Sequence, residues 1–144
     1  MTTTELTGLE LMRMTATTDD HRAPIAALMG VSIDAVDCGR VTMNIQTRPD
    51  FANPMGTVHG GICATLLDAV MSGAVHTTLE AGVGYSTLEL KVNYIRSIQV
   101  DGVRLTATAT TIHVGGKTAT SEGRVHDSAG RLVAHGTTTC IIHR

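Results

Sequence analysis

The 144 residues carry a net charge of −2, 42% hydrophobic side chains and only 2% aromatic ones, with no Trp. One domain of this length buries a core without staples, and with no basic run and few rings it is neither a nucleic-acid nor a membrane-surface binder. Three scattered cysteines (Cys38, Cys63, Cys140) without a CxxC favour a reducing cytoplasm, and neither a signal-peptide block nor a transmembrane-length run is present.

Residues 1–4 read as a frayed Thr-rich tail. Leu6, Leu9, Leu11, Met12 and Met14 have loose helical spacing, so a short helix is expected there, with Asp19-Asp20 beyond it. Pro24 opens one more helical turn, which Gly30 ends. Residues 1–23 are thus expected as a tail with a short helix, and 24–144 as the folded domain. Val31 to Val36, a Cys38-Gly39 turn and the alternating Val41, Met43 and Ile45 read as a hairpin.

Arg48 to Val58 holds two prolines and Gly56 and reads as a loop. From Gly60 to about Leu79 the only breaker is Gly73, and Ala, Leu, Ile and Met fill the stretch. This is one long helix, apolar on most sides, as a buried central helix is. After Gly84 the period becomes two, and Ser86–Ile95, Val103–Val114, Lys117–Val125 and Leu132–Ile142 read as four strands joined by Gly-bearing turns. The expected architecture is a hairpin, a long helix and an antiparallel meander: an α+β layer fold.

The helix start is the most informative segment. His59-Gly60-Gly61 opens the helix on free backbone N–H groups at the positive end of its dipole, where an oxyanion is stabilised. Asp68 follows in the third turn, among Leu66, Leu67, Ala69, Val70 and Met71, where a carboxylate is costly without a partner or a task. Together they suggest acyl chemistry. Cys63 offers a rival: a thiol in the first turn near His59, with no orienting third group in sight. The remaining histidines show no metal-ligand pairing.

Asn53 six places before His59, the His-Gly-Gly itself, Asp68 nine places after His59, and the strand Leu88-Glu89-Leu90-Lys91-Val92-Asn93-Tyr94-Ile95-Arg96 together carry a family resemblance. From Pro24 to Ile142 the chain resembles the hotdog-fold acyl-CoA thioesterases, in particular the phenylacetate-degradation branch that includes the thioesterase-superfamily member 2 proteins. The resemblance implies a single hotdog domain, one long central helix wrapped by a curved antiparallel sheet, acting on an acyl-CoA without cofactor or metal. It implies Gly60 N–H as oxyanion donor and His59 as the group polarising the thioester carbonyl. Asp68 becomes general base or nucleophile, and Asn53 and Ser86 position water or Asp68.

Gly60 and Asp68 lie roughly 12 Å apart along a helix, too far to act on one carbonyl within one chain. Two antiparallel copies bring them together, so a homodimer is expected. The resemblance implies its pairing into a dimer of dimers. Gly61 and Ser72 are further substrate contacts, and Arg96 and Lys117 are the candidate cations for the coenzyme A phosphates. The few rings (Phe51, Tyr85, Tyr94) lean toward a fatty rather than an aryl acyl group. Two other classes compete: a non-catalytic acyl-CoA-binding hotdog module, and a hotdog hydratase or dehydratase. The latter's catalytic His before a Pro-containing helix start is missing.

Overall fold

A computed structural model describes residues 2–144; Met1, the first residue of the expected tail, lies outside them. The rest of that tail is a capped turn rather than a frayed end: Thr3–Glu5 form a single 3-10 turn, and the Glu5 carboxylate accepts from the Thr2 N–H. Helix α1 (Gly8–Thr17) starts at a capping box, in which Thr7 and Glu10 satisfy each other's backbone N–H groups. Helix α2 (Pro24–Met29) begins at its proline and ends at Gly30, whose φ of 76° stops it. Strands β1 (Ser32–Asp37) and β2 (Arg40–Gln46) form the expected hairpin. A bulge between Ile33 and Ala35 accounts for the imperfect alternation of β1.

Helix α3 (Gly60–His76) is the long helix. It stops three residues short of the expected Leu79. The Thr77 and Thr78 hydroxyls donate to the carbonyls of Ala74 and Val75, which ties off the last turn. Cys63, Leu66, Leu67, Val70, Met71 and Ala74 follow the i, i+3, i+4 rhythm and form the buried face. Strands β3 (Gly84–Tyr94), β4 (Arg104–Val114), β5 (Thr118–His126) and β6 (Leu132–His143) complete one six-stranded sheet.

The strand order is β1-β2-β4-β5-β6-β3, with every pair antiparallel. The expected meander is therefore corrected. Of the four strands after α3, only β4-β5-β6 run in sequence; β3 lies beyond β6 at the far edge, and β2 takes the place beside β4. The cause is α3. It packs against β2, β3, β4, β5 and β6. Five strands about 4.8 Å apart are wider than a helix about 10 Å across, so all five touch it only if the sheet curls around it. The chain leaving α3 joins the free side of that curl, and β3 is left with one unpaired edge.

The N-terminal helix belongs to this body. Met12 is buried in the main apolar cluster beside Met43 and Val41. Gly8 N–H donates to the Leu79 carbonyl at 3.0 Å. A Cβ at Gly8 would lie 1.7 Å from the His76 carbonyl oxygen, so only glycine lets α1 start there. Among the described residues no helix is long and apolar enough to cross a membrane.

Candidate active site

Away from Cys63, Leu66, Leu67 and Val70, α3 carries Gly61, Thr65, Asp68 and Ala69, with Ser72 buried one turn on, and its side toward β3 carries the polar contacts. The two elements run antiparallel along this seam. Tyr94 meets the start of α3, Thr87 its middle, and Tyr85 its end, where the Tyr85 and His76 rings lie 5.0 Å apart. Asp68 is half-buried here. Its Oδ1 accepts a 2.8 Å hydrogen bond from the Thr87 hydroxyl, and Oδ2 has no partner among the described residues. The lone carboxylate of the apolar helix thus has one oxygen held and one free.

At the head of the helix, His59 is the N-cap, and its Nδ1 accepts from Gly61 N–H at 2.9 Å. With Nδ1 occupied as an acceptor, the neutral ring carries its proton on Nε2, a donor directed away from the helix. The Gly61 N–H is consumed by this cap and is not available to a substrate. Gly60 N–H is in the opposite position: it has no acceptor among the described residues. Gly60 is also closely covered by Tyr94. Its carbonyl accepts from Tyr94 OH at 2.8 Å, and a Cβ would lie 3.1 Å from the tyrosine ring.

Asn53 shapes the loop that delivers His59. Its Oδ1 accepts from the N–H groups of Met55 and Thr57 at 3.0 and 3.1 Å, and its Nδ2 donates to Thr57 Oγ1 at 2.9 Å. Within the chain it bonds no atom of Asp68. Asn53, His59, Gly60 and Arg96 line one surface cleft, which Asp68 does not share. The Gly60–Asp68 separation expected from the helix rise is therefore a separation between two surfaces of the chain. Arg96 follows β3, whereas Lys117 sits at the β4–β5 turn, its carbonyl accepting from Ile142 N–H next to the start of β3. Roughly 35 Å of strand lies between the two cations.

Two residues expected at the site are engaged otherwise. Ser86 points to the opposite face of β3 from Tyr85 and Thr87, and its hydroxyl is 2.9 Å from His143 Nε2. The structure sets Thr87, not Ser86, against Asp68. Strand alternation carries the signal: a residue two places from the helix-facing Tyr85 shares its face. Ser72 donates to the carbonyl of Asp68 at 2.6 Å, the ordinary back-bond of a helical serine. The rival nucleophile fails on burial. Cys63 is 2% exposed, and desolvation pushes its thiol up to about 11, so the thiolate is scarce at neutral pH.

A family model described as the thioesterase superfamily matches residues 55–134. A 1,4-dihydroxy-2-naphthoyl-CoA hydrolase from Listeria monocytogenes is 28% identical over 105 residues, 73% of this chain and 84% of that protein. Human acyl-coenzyme A thioesterase 13 is 28% identical over 99 residues, 68% of this chain and 69% of that one. Among solved structures, a phenylacetic acid degradation-related protein from Ralstonia eutropha superposes with a TM-score of 0.81 at 30% identity, covering 91% of this chain and 98% of its own. The PaaI protein of Escherichia coli has a TM-score of 0.82 at 20% identity, over 92% and 94% of the two chains, a likeness of fold. The hotdog layout expected from the sequence is the one observed.

Proposed function

Because the chain belongs to the thioesterase superfamily and is a thioester hydrolase, we propose that it hydrolyses acyl-CoA in a site shared between two copies, Asp68 coming from one chain and His59–Gly60 from the other. The observation that carries this is the division of the chain into two half-sites. A free oxyanion donor lines one cleft, while a carboxylate with a free oxygen lies about 12 Å along the same helix outside it.

The unpaired edge of β3 supplies the means of joining them. A second copy added antiparallel along that edge continues the sheet and lays its α3 antiparallel to the first. Each Asp68 then faces the partner's helix start. The same operation brings Arg96 of one chain to the end of the assembly that holds Lys117 of the other, so two cations lying far apart in one chain share one set of coenzyme A phosphates. The pairing of such dimers into a tetramer is part of the proposal.

In this site the thioester carbonyl accepts from Gly60 N–H and from His59 Nε2–H, which gain strength as the oxygen becomes an anion. Thr87 holds Oδ1 of Asp68 and leaves Oδ2 to take the proton of the attacking water. The coenzyme A thiolate leaves as the tetrahedral intermediate collapses. We assign Asp68 as general base rather than nucleophile, its free oxygen being the one that meets the attacking water. A single turnover in oxygen-18 water separates the two. Label in Asp68 with an enzyme oxygen in the first acid released, or a protein-bound hydroxamate when hydroxylamine is added, reveals an aspartyl anhydride and reverses the assignment; label in the acid with no such hydroxamate is direct attack by water.

Thr87 is a positioning residue in this scheme. Thr87→Val removes a hydrogen bond to a charged group, an interaction of about 1.5–3 kcal/mol. The expected result is a loss in kcat of tenfold or more with little change in KM, and recovery in Thr87→Ser. An equal loss in both variants would assign Thr87 a packing role only.

A further inference from the structure

A cavity of about 320 Å³ lies between α1, α2, β1 and the outer face of α3. We propose that it is the acyl site and that it takes an unbranched aliphatic acyl chain. The proposal rests on the thioesterase reading and adds to it the substrate class.

Position is the first argument. On α3 the cavity is lined by Thr65, Ala69, Ser72 and Gly73, of which the first three flank Asp68 three places before it and one and four places after it. These positions adjoin Asp68 on the helix surface, so a chain lying in the cavity leaves its carbonyl end beside that carboxylate. Lining chemistry is the second. Met12, Met29 and Met43 converge on the space with Ala26 and Ile33. Unbranched thioethers adapt to a flexible chain; they do not make the flat slot that an aromatic acyl group fills. Tyr85 is the only ring among the lining residues.

The absence of an available cation in the lining is the third. Arg22 reaches the cavity, but its Nη2 donates to the carbonyls of Ala26 and Val31 at 3.3 and 2.6 Å, and its Nη1 lies 3.8 Å from Asp19. Its guanidinium is committed to fastening α2 to Val31, the residue before β1. An acyl chain ending in a carboxylate would find no free cation to pair with, which favours an occupant apolar to its end. The segment before Pro24, expected as an appendage, supplies Met12, Thr15 and Ala16 to the wall.

Titration calorimetry with S-alkyl-CoA thioethers, which cannot be hydrolysed, tests this apart from catalysis. From hexyl to decyl, Kd should tighten about fourfold per methylene, the factor for burying one CH₂, and then level off. S-benzyl-CoA should bind at least tenfold more weakly than S-decyl-CoA. Ala26→Leu fills the cavity from α2 without touching the catalytic residues; it should cost S-decyl-CoA about tenfold and leave S-hexyl-CoA unchanged. Tightest binding of the benzyl compound, or no dependence on chain length, overturns the proposal. Should Ala26→Leu fail to fold, photolysis of a diazirine-tipped S-decyl-CoA on the wild-type protein decides: cross-links within residues 8–33 support the cavity, and cross-links only elsewhere reject it. If the thioethers bind as described but decanoyl-CoA releases no thiol, the hydrolytic reading alone fails.

Discussion

Asp68→Asn is expected to lower kcat for thioester hydrolysis by about 10²–10⁴-fold, the range lost with a general base. The substitution keeps the shape and the acceptor oxygen that meets the Thr87 hydroxyl, and the site is half-buried at the surface of α3 rather than inside the core. Fold and assembly are therefore expected to stay as they are. Thiol release from a panel of acyl-CoA substrates, a thermal melt and sedimentation of the purified variant check all three. A kcat equal to that of the wild type would remove Asp68 from the mechanism.

Two inactive variants restore each other when the site is shared. Gly60→Pro deletes the oxyanion donor, and proline is tolerated at the first position of a helix. His59, at φ −59° and ψ 136°, already has the extended backbone that a residue before proline adopts. The added Cβ presses on Tyr94, which is 55% exposed and can yield. Each homodimer is expected to be inactive, Gly60→Pro for want of the donor and Asp68→Asn for want of the base. In a mixed dimer one site inherits both lesions and the other neither. Co-refolding equal amounts pairs about half the dimers unlike, each with one of two sites intact, so about a quarter of wild-type activity returns under two-fold symmetry. Co-assembly with no return of activity would refute the shared site.

The helices and strands were legible because their ends carry strong local signals: Pro24 and Gly30 around α2, His-Gly-Gly at α3, and the Gly-bearing turns between β4, β5 and β6. Strand order was not. A period of two says which face a side chain occupies but not which strand lies beside it, and the curl around α3 that sends β3 past β6 is a property of the whole sheet. In the candidate site, Asp68, His59 and Gly60 stand out in the sequence because residue type alone suggests chemistry there. The residue set against Asp68 was less legible: it is Thr87, where the sequence offered Ser86. Counting forward from Asp68 crosses a helix end and a loop, whereas alternation within β3 puts Thr87 on the face of Tyr85. The N-terminal helix was the least legible. Its apolar spacing is loose, and its firmest anchor, Gly8, is a residue without a side chain.

That anchor also decides which way the enzyme can open. At Gly8 backbone lies on backbone, so no side chain can swing aside to release α1 from the last turn of α3. The wall made by α1 moves with the central helix or not at all. The link from Thr18 to Ala23 is the freer part, largely exposed and steadied by the reach of Arg22. Around the proposed acyl site, α2 and that link, rather than α1, are the parts of the wall with room to give.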